Sequence, residues 1–235
     1  MESSLSLLLL AYNEADTILA ELEAWRQILE ALPSNWHWKI VVVEDGSSDG
    51  TSSLLNAWEV ESEHNYHLHR DERGGYKNAL KRGLQFCETD YIFFSDTGFK
   101  NDLDDFWSLF MRRTSADLIL GRKVLRKDSI FRRLLTFLLN SYLRTYFKND
   151  KFHDVDSGFR IFNSRVRTLL LRDDLTFRGF AGCEMVLKVW KAGLIYREVP
   201  VSYVGRVGKS RGLPNRTIPF AVLRLLRDLR NFRVS

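Results

Sequence analysis

Trp38-Lys39-Ile40-Val41-Val42-Val43-Glu44-Asp45-Gly46-Ser47-Ser48-Asp49-Gly50-Thr51 is the stretch from which the fold is read. Its first part is apolar and β-branched, the composition of a buried strand. Asp-Gly ends the strand, Asp49 stands as an N-cap, and a helix is expected from Gly50 to about Glu63. The same pattern precedes it. Ser4 to Ala11 is a short apolar run closed by Tyr12-Asn13-Glu14. Asp16 to Leu32 follows as an amphipathic helix, with Ile18, Leu22, Trp25, Ile28, Leu29 and Leu32 near a 3.6 period. Downstream, Tyr66 to His69 reads as a short strand and Lys77 to Cys87 as a helix. Tyr91 to Phe94 is another strand, closed by Ser95-Asp96-Thr97-Gly98. Strands alternating with helices imply β-α-β units and a mostly parallel, helix-covered sheet. In such sheets ligands gather outside the carboxyl ends of the strands. The chemistry is therefore expected at the three polar stretches just named.

The second half continues in mixed order. Helices are expected over Phe106–Arg113, Ile130–Lys148, Glu184–Ala192 and Ile218–Phe232. Strands are expected over Ala116–Leu120, Gly158–Asn163 and Ile195–Tyr203, the last bent or at an edge because of Pro200.

Composition narrows the function. The chain has 235 residues, 45% hydrophobic and 28% charged, which is globular and not disordered. Two cysteines exclude a disulfide framework and a Cys-rich zinc module, and favour a cytosolic setting. The longest apolar run, Leu5 to Tyr12, falls far short of the ~20 residues of a spanning helix. It has no basic flank before it, so it is not read as a signal peptide. The net charge of +5 hides an asymmetry. Residues 1–110 carry 8 Lys/Arg against 20 Asp/Glu, and residues 111–235 carry 27 against 10. A basic half suits nucleic acid, anionic lipid or a phosphorylated substrate. Acidic strand ends would repel nucleic acid, which is set aside.

Taken alone, Asp and Gly at a strand end are ordinary turn chemistry. Together, Tyr12-Asn13-Glu14 and the Asp45-to-Thr51 run closely resemble family 2 glycosyltransferases of the GT-A fold. Gly74 to Gly83 with Asn78-Ala79-Leu80, Asp154-Val155-Asp156-Ser157-Gly158-Phe159-Arg160, Glu198-Val199-Pro200-Val201 and Arg206-Val207-Gly208-Lys209-Ser210 resemble further family segments, in family order. The subgroup most resembled is the dolichyl- or polyprenyl-phosphate sugar synthases. The resemblance implies an α/β, Rossmann-like, mostly parallel sheet with C-terminal amphipathic helices. It implies one domain over 1–235: a nucleotide-sugar half (1–115), an acceptor half (116–212) and a C-terminal amphipathic helix (213–235). The donor would be a UDP- or GDP-sugar, met by Ala11, Tyr12, Glu14, Glu44, Asp45, Asp96, Thr97, Lys100, Arg206 and Lys209. Asp45 would accept from a base N–H.

Asp96 falls where the family carries Asp-x-Asp, but the second carboxylate is replaced by Gly98, and Lys100 stands where relatives often place Gln. Mg²⁺ and Mn²⁺ want several oxygen ligands. The two readings are Lys100 in place of the metal, assisted by Arg206 and Lys209, or a Mg²⁺ or Mn²⁺ held by Asp96 and phosphates. A hydroxyl acceptor would need a carboxylate base, for which Asp154, Asp156 and Glu184 are the candidates; Asp96, the remaining catalytic candidate, would reach the ribose or the metal-diphosphate region. A polyprenyl phosphate is already an anion and needs positioning by cations, for which Arg122, Arg126, Arg132 and Arg133 are the candidates. The alternatives to lipid-phosphate transfer are transfer to a hydroxyl acceptor and a non-catalytic nucleotide-sugar-binding module. The helices 130–148 and 218–232 are amphipathic and basic, which suits a lipid interface or a covered sheet equally. The protein is thus expected to be cytoplasmic and peripheral at the cytoplasmic membrane face, or held there by a membrane-anchored partner. His67 and His69 alternate on a strand, but without Cys or helical His spacing they are not read as a zinc site.

Overall fold

The computed structural model describes residues 2–126, 130–177, 179–205 and 218–234. Strands β1 (Ser3–Ala11), β2 (Trp36–Glu44), β3 (Asn65–Leu68), β4 (Tyr91–Asp96), β5 (Leu118–Arg126), β6 (Phe159–Asn163) and β7 (Tyr196–Tyr203) form one sheet in the order β3-β2-β1-β4-β6-β5-β7. Helices α1 (Ile18–Glu30), α2 (Thr51–Glu59), α3 (Tyr76–Phe86), α4 (Asp105–Phe110), α5 (Ile130–Phe147), α6 (Ser164–Arg172), α7 (Ala181–Lys191) and α8 (Ile218–Val234) flank it. The α/β fold expected from the sequence is present.

Strand alternation decides which residues meet which layer, because successive side chains point to opposite faces. Leu8, Val41, Val43, Ile92 and Phe94 pack on one face with Leu80 and Leu84 of α3 and Val186 of α7. Leu7, Leu9, Ile40, Val42 and Phe93 pack on the other with Leu22, Trp25 and Leu29 of α1 and Phe106 of α4. Both faces are covered, so the strands read as continuous apolar runs. Trp25 packs tilted on Phe93 at 5.5 Å and stacks on Phe159 at 6.2 Å, joining α1 to β4 and β6.

β1, β2, β3 and β4 are mutually parallel, so their carboxyl ends share one edge. β6 alone runs against its neighbours β4 and β5. Its leading loop, residues 154–158, therefore arrives at that same edge. The structure differs from the sequence reading at several places: α2 is capped by Gly50 and not by Asp49, and it ends at Glu59. β5 extends beyond Leu120 to Arg126, and α6 follows β6 directly, capped by Asn163 accepting from the N–H groups of Arg165 and Val166.

Candidate active site

Four strand ends and the 154–158 loop build one cleft. At the end of β1, Asn13 adopts φ 55°, a left-handed conformation its short amide side chain tolerates. Its Oδ1 accepts from the Ser48 N–H at 2.7 Å, tying the β1 end to the loop after β2. The Ala11 carbonyl accepts from the Asp45 N–H at 3.0 Å. Asp45 is buried, and its two carboxylate oxygens accept from the N–H groups of Gly74 and Gly75 at 2.8 and 2.7 Å. A carboxylate has about four acceptor positions, so these bonds leave room for another donor. Arg73 stacks over the Tyr12 ring at 3.9 Å. Tyr12 and Asp45 thus border the same 70–75 segment.

The Thr97 hydroxyl lies within hydrogen-bond distance of the Leu10 carbonyl (3.1 Å) and of Glu14 Oε1 (3.0 Å), and Thr97 and Glu14 are both buried. Below them sits Glu21, wholly buried and not singled out by the sequence reading. Its carboxylate accepts from the N–H groups of Gly98 (2.7 Å) and Phe99 (3.4 Å). Burial pushes its carboxyl up to about 7, helped by Glu14 and opposed by those backbone bonds and by Lys100. Glu21 fixes the backbone at Gly98, where φ is 92° and glycine is favoured. A signal existed in the sequence: Glu21 lies three residues after Ile18 and four before Trp25, inside the apolar stripe of α1.

At the end of β4, Lys100 Nζ donates to Asp96 Oδ2 at 3.0 Å. Burial acts to raise the Asp96 carboxyl, but Lys100, Lys123 and Arg160 together hold it below its ordinary range. Opposite, Asp156 reaches solvent, yet protein crowds it closely. That crowding pushes its carboxyl up to about 6, with Asp96 and Asp154 adding to the rise and Arg160 and Lys123 opposing it. Water entering the cleft softens the push. Arg160 is 2% exposed and donates to the carbonyls of Ser157 and Gly182. Gly158 permits this assembly: a Cβ there would stand 2.2 Å from the Asp96 carboxyl carbon. Asp96, Lys100, Lys123, Asp156 and Arg160 are therefore one charge cluster, and the sequence reading had assigned no role to Lys123 or Arg160.

Several expectations need correction. Glu184 is wholly buried, and its oxygens accept from Thr176 N–H (2.7 Å), Thr176 Oγ1 (3.0 Å) and Phe177 N–H (2.7 Å). It pins the 176–177 segment and is not presented as a base. Asp154 is likewise buried and accepts from the Lys123 N–H at 3.0 Å, holding the 154–158 loop to β5. Asp156 is the exposed member of that pair; it lies beside Asp96, and its Oδ1 accepts from the Cys183 N–H at 3.3 Å. Among the arginines, Arg122 lies by Glu198 and His153. Neighbours on a strand face opposite sides, so Lys123 takes the cleft instead. Arg133 is exposed on α5. Arg206 and Lys209, and the side chains of Arg126 and Arg132, lie outside the described residues.

The Asp96 end does not fit a divalent cation well. Asp96 carries an ammonium on one of its oxygens, Gly98 brings no side chain, and Asp156 opposite is faced by Lys123 and Arg160, where such ions want several oxygen ligands. Among the described residues, the grouping of three potential ligands is elsewhere, at Glu44, His67 and His69. Glu44 is buried at the end of β2, accepts from the Ser47 N–H, and pairs with His69 Nδ1 at 2.6 Å.

Known proteins resemble this chain in sequence and in fold. The model of glycosyl transferase family 2 matches residues 6–168. The chain is 28% identical over 209 residues to glycosyltransferase AglD of Haloferax volcanii, a match covering 84% of this chain and 32% of that protein. It is 25% identical over 209 residues to dodecaprenyl-phosphate galacturonate synthase of Rhizobium johnstonii, covering 86% of this chain and 57% of that one. It spans less than two thirds of the length of either relative. Glucosyl-3-phosphoglycerate synthase from Mycobacterium tuberculosis, solved in complex with Mn²⁺ and UDP-glucose, shares the fold at a TM-score of 0.72 and 18% identity, over 98% of this chain and 79% of that chain.

Proposed function

The chain belongs to glycosyl transferase family 2, and from that premise we propose that it moves a sugar from a nucleoside-diphosphate donor to a polyprenyl-phosphate-type acceptor, inverting the anomeric centre. The observation that carries this reading is the charge cluster of Asp96, Lys100, Lys123, Asp156 and Arg160 at the carboxyl edge of the sheet. The nucleoside lies over Tyr12 and Asp45. Its diphosphate meets Lys100, whose ammonium supplies the positive charge that Asp96 and Gly98 do not recruit as a metal. The acceptor enters from the 116–212 side. Its phosphate oxygen attacks the anomeric carbon in line, the bond from that carbon to the donor phosphate oxygen breaks, and the nucleoside diphosphate leaves. An anionic nucleophile gives up no proton, so no base is required.

Exposed apolar side chains support a lipid setting. Leu134, Phe137 and Leu138 on α5 are half or more exposed, as are Phe220 and Leu223 on α8. Arg133, Arg224 and Arg227 are exposed on the same helices. A basic amphipathic helix lies stably in an anionic lipid interface. No helix among the described residues is long and apolar enough to cross a membrane.

One observation favours a second reading, transfer to a hydroxyl. Asp156 lies exposed beside Asp96 with its carboxyl at about 6, suited to general base work at neutral pH. The test is transfer assayed with UDP- and GDP-sugars against a polyprenyl phosphate and against polyprenyl and sugar alcohols. Phosphate-dependent product, retained by Asp156→Asn, supports the first reading. Product on an alcohol, lost with Asp156→Asn, supports the second. Donor binding without turnover on any acceptor makes the protein a nucleotide-sugar-binding module.

A further inference from the structure

We propose that Glu44, His67 and His69 form a binding site for a divalent transition-metal ion, with Zn²⁺ the best match to the ligands. The ligand atoms of the three residues all lie within 4.8 Å of one another. A tetrahedral Zn²⁺ with bonds of ~2.0–2.1 Å places its donors about 3.3 Å apart, so modest side-chain rotation closes the site. Two imidazoles and a carboxylate suit Zn²⁺, whereas Mg²⁺ prefers oxygen alone.

The independent observation is His67. It is 8% exposed, and its Nε2 is buried with no hydrogen-bond partner. A buried unpaired polar atom is costly and calls for an explanation. Its other nitrogen, Nδ1, lies 2.9 Å from Asn56 Oδ1 on α2. Donation from Nδ1–H to that oxygen leaves Nε2 as a bare lone pair, which is what a metal takes.

The other two ligands are oriented in the same manner. His69 Nδ1 faces Glu44 Oε2, and its Nε2 lies 3.2 Å from Asp71 Oδ1. On metal binding the Nδ1 proton passes through solvent to Nε2, which then donates to Asp71, and the Ser52 hydroxyl, 3.0 Å from Nδ1, gives way to the ion. Glu44 Oε1 accepts from the Ser47 N–H, leaving Oε2 for the ion. Metal-bound histidines are commonly held by such outer partners, which fix the tautomer and ring orientation. The strand supplies the geometry: His67 is in β3, His69 lies just beyond its end, and β3 pairs with β2, which ends on Glu44. A fourth position is left for water.

An ion here joins the ends of β2 and β3, one residue before Asp45, and stiffens the nucleoside side of the cleft. The site stands apart from Asp96 and does not depend on the transferase reading. The test is metal binding by the full chain after stripping with a chelator. Isothermal titration and elemental analysis after desalting are expected to give one Zn²⁺ per chain and no Mg²⁺. Asn56→Ala should weaken Zn²⁺ by about 10–100-fold. His67→Asn should abolish stoichiometric binding, and His37→Asn, at an exposed histidine elsewhere on β2, should leave it unchanged. X-ray absorption at the zinc edge of the wild-type protein should show two imidazoles, a readout that survives any misfolding of the variants. Absence of stoichiometric Zn²⁺, its persistence in His67→Asn, or a shell without imidazole overturns the proposal.

Discussion

Lys100→Met keeps most of the side-chain volume at the end of β4 and removes only the charge. Lys100 Nζ is 3.0 Å from Asp96 Oδ2, with 25% of the lysine side chain and 28% of the aspartate side chain exposed. At an effective dielectric of ~20, unit charges 3–4 Å apart attract by about 4–6 kcal/mol before desolvation is counted. Removing one fixed donor from developing negative charge in an active site costs about 2.7–4 kcal/mol, or ~10²–10³ in kcat. The partial exposure of Lys100 argues for the lower end, about 10²-fold. The assay is sugar transfer with the preferred donor, run with chelator and with Mg²⁺ or Mn²⁺ restored. Wild-type turnover should be indifferent to Mg²⁺ and Mn²⁺, and Lys100→Met should lose kcat more than donor affinity. Zn²⁺ is restored separately, because the chelator also strips the histidine site. In the same variant, Asp96 loses its strongest charge partner, and its carboxyl should titrate higher by NMR. Turnover of Lys100→Met within a few-fold of wild type, or a wild type silent until Mg²⁺ or Mn²⁺ is supplied, would mean that Lys100 does not stand in for the metal.

Three further outcomes are expected. Glu21 has a folded-state pKa of about 7 against 4.5 unfolded, so the folded state binds more protons between those values and stability falls as pH rises through that window. The fall should total about 3 kcal/mol, at ~1.4 kcal/mol per pKa unit. Urea midpoints of Glu21→Gln should lack this slope, and parallel curves for the two proteins would show that Glu21 is not its source. Gly158→Ala drives a methyl into the Asp96 carboxylate, so donor binding should fall at least about tenfold for a stability loss of ~1–3 kcal/mol. Calorimetric titration with donor checks this, and unchanged affinity would mean that Asp96 does not touch the donor. Phe137→Asp with Leu223→Asp removes two side chains that are 62% and 65% exposed, each able to contribute about 1 kcal/mol or more on entering lipid. Sedimentation with anionic vesicles should drop about tenfold, while unaltered sedimentation would mean these faces do not meet lipid.

The first half was legible because its strands are short and apolar, and because each is followed by a helix. Local composition and local structure agree there. The second half was less legible for physical reasons. β6 is Phe159-Arg160-Ile161-Phe162-Asn163, and its Arg160 lies in the core, so the segment does not announce which neighbours it pairs with. Arg122 and Lys123 are adjacent and equally basic, and only the pairing of β5 decides which one enters the cleft. Glu184 reads as a free carboxylate until the 176–177 backbone folds onto it. His67 and His69 had the right alternation, but their third member, Glu44, comes from a strand more than twenty residues earlier. Nothing in local spacing reveals that meeting.

The reversal of β6 also bears on how such a protein can diverge. A strand turned against its neighbours presents its entry, not its exit, to the working edge. The segment that arrives there with Asp154 and Asp156 is thus threaded in from the distal half, between two strands it pairs with in opposite sense. The segment that brings Asp154 and Asp156 never has to pass through the turns that follow β1, β2 and β4. Insertions or exchanges between β5 and β6 can therefore alter the 154–158 side of the cleft while the turns after β1, β2 and β4 stay in register, joined to it at the Asp96–Gly158 backbone contact.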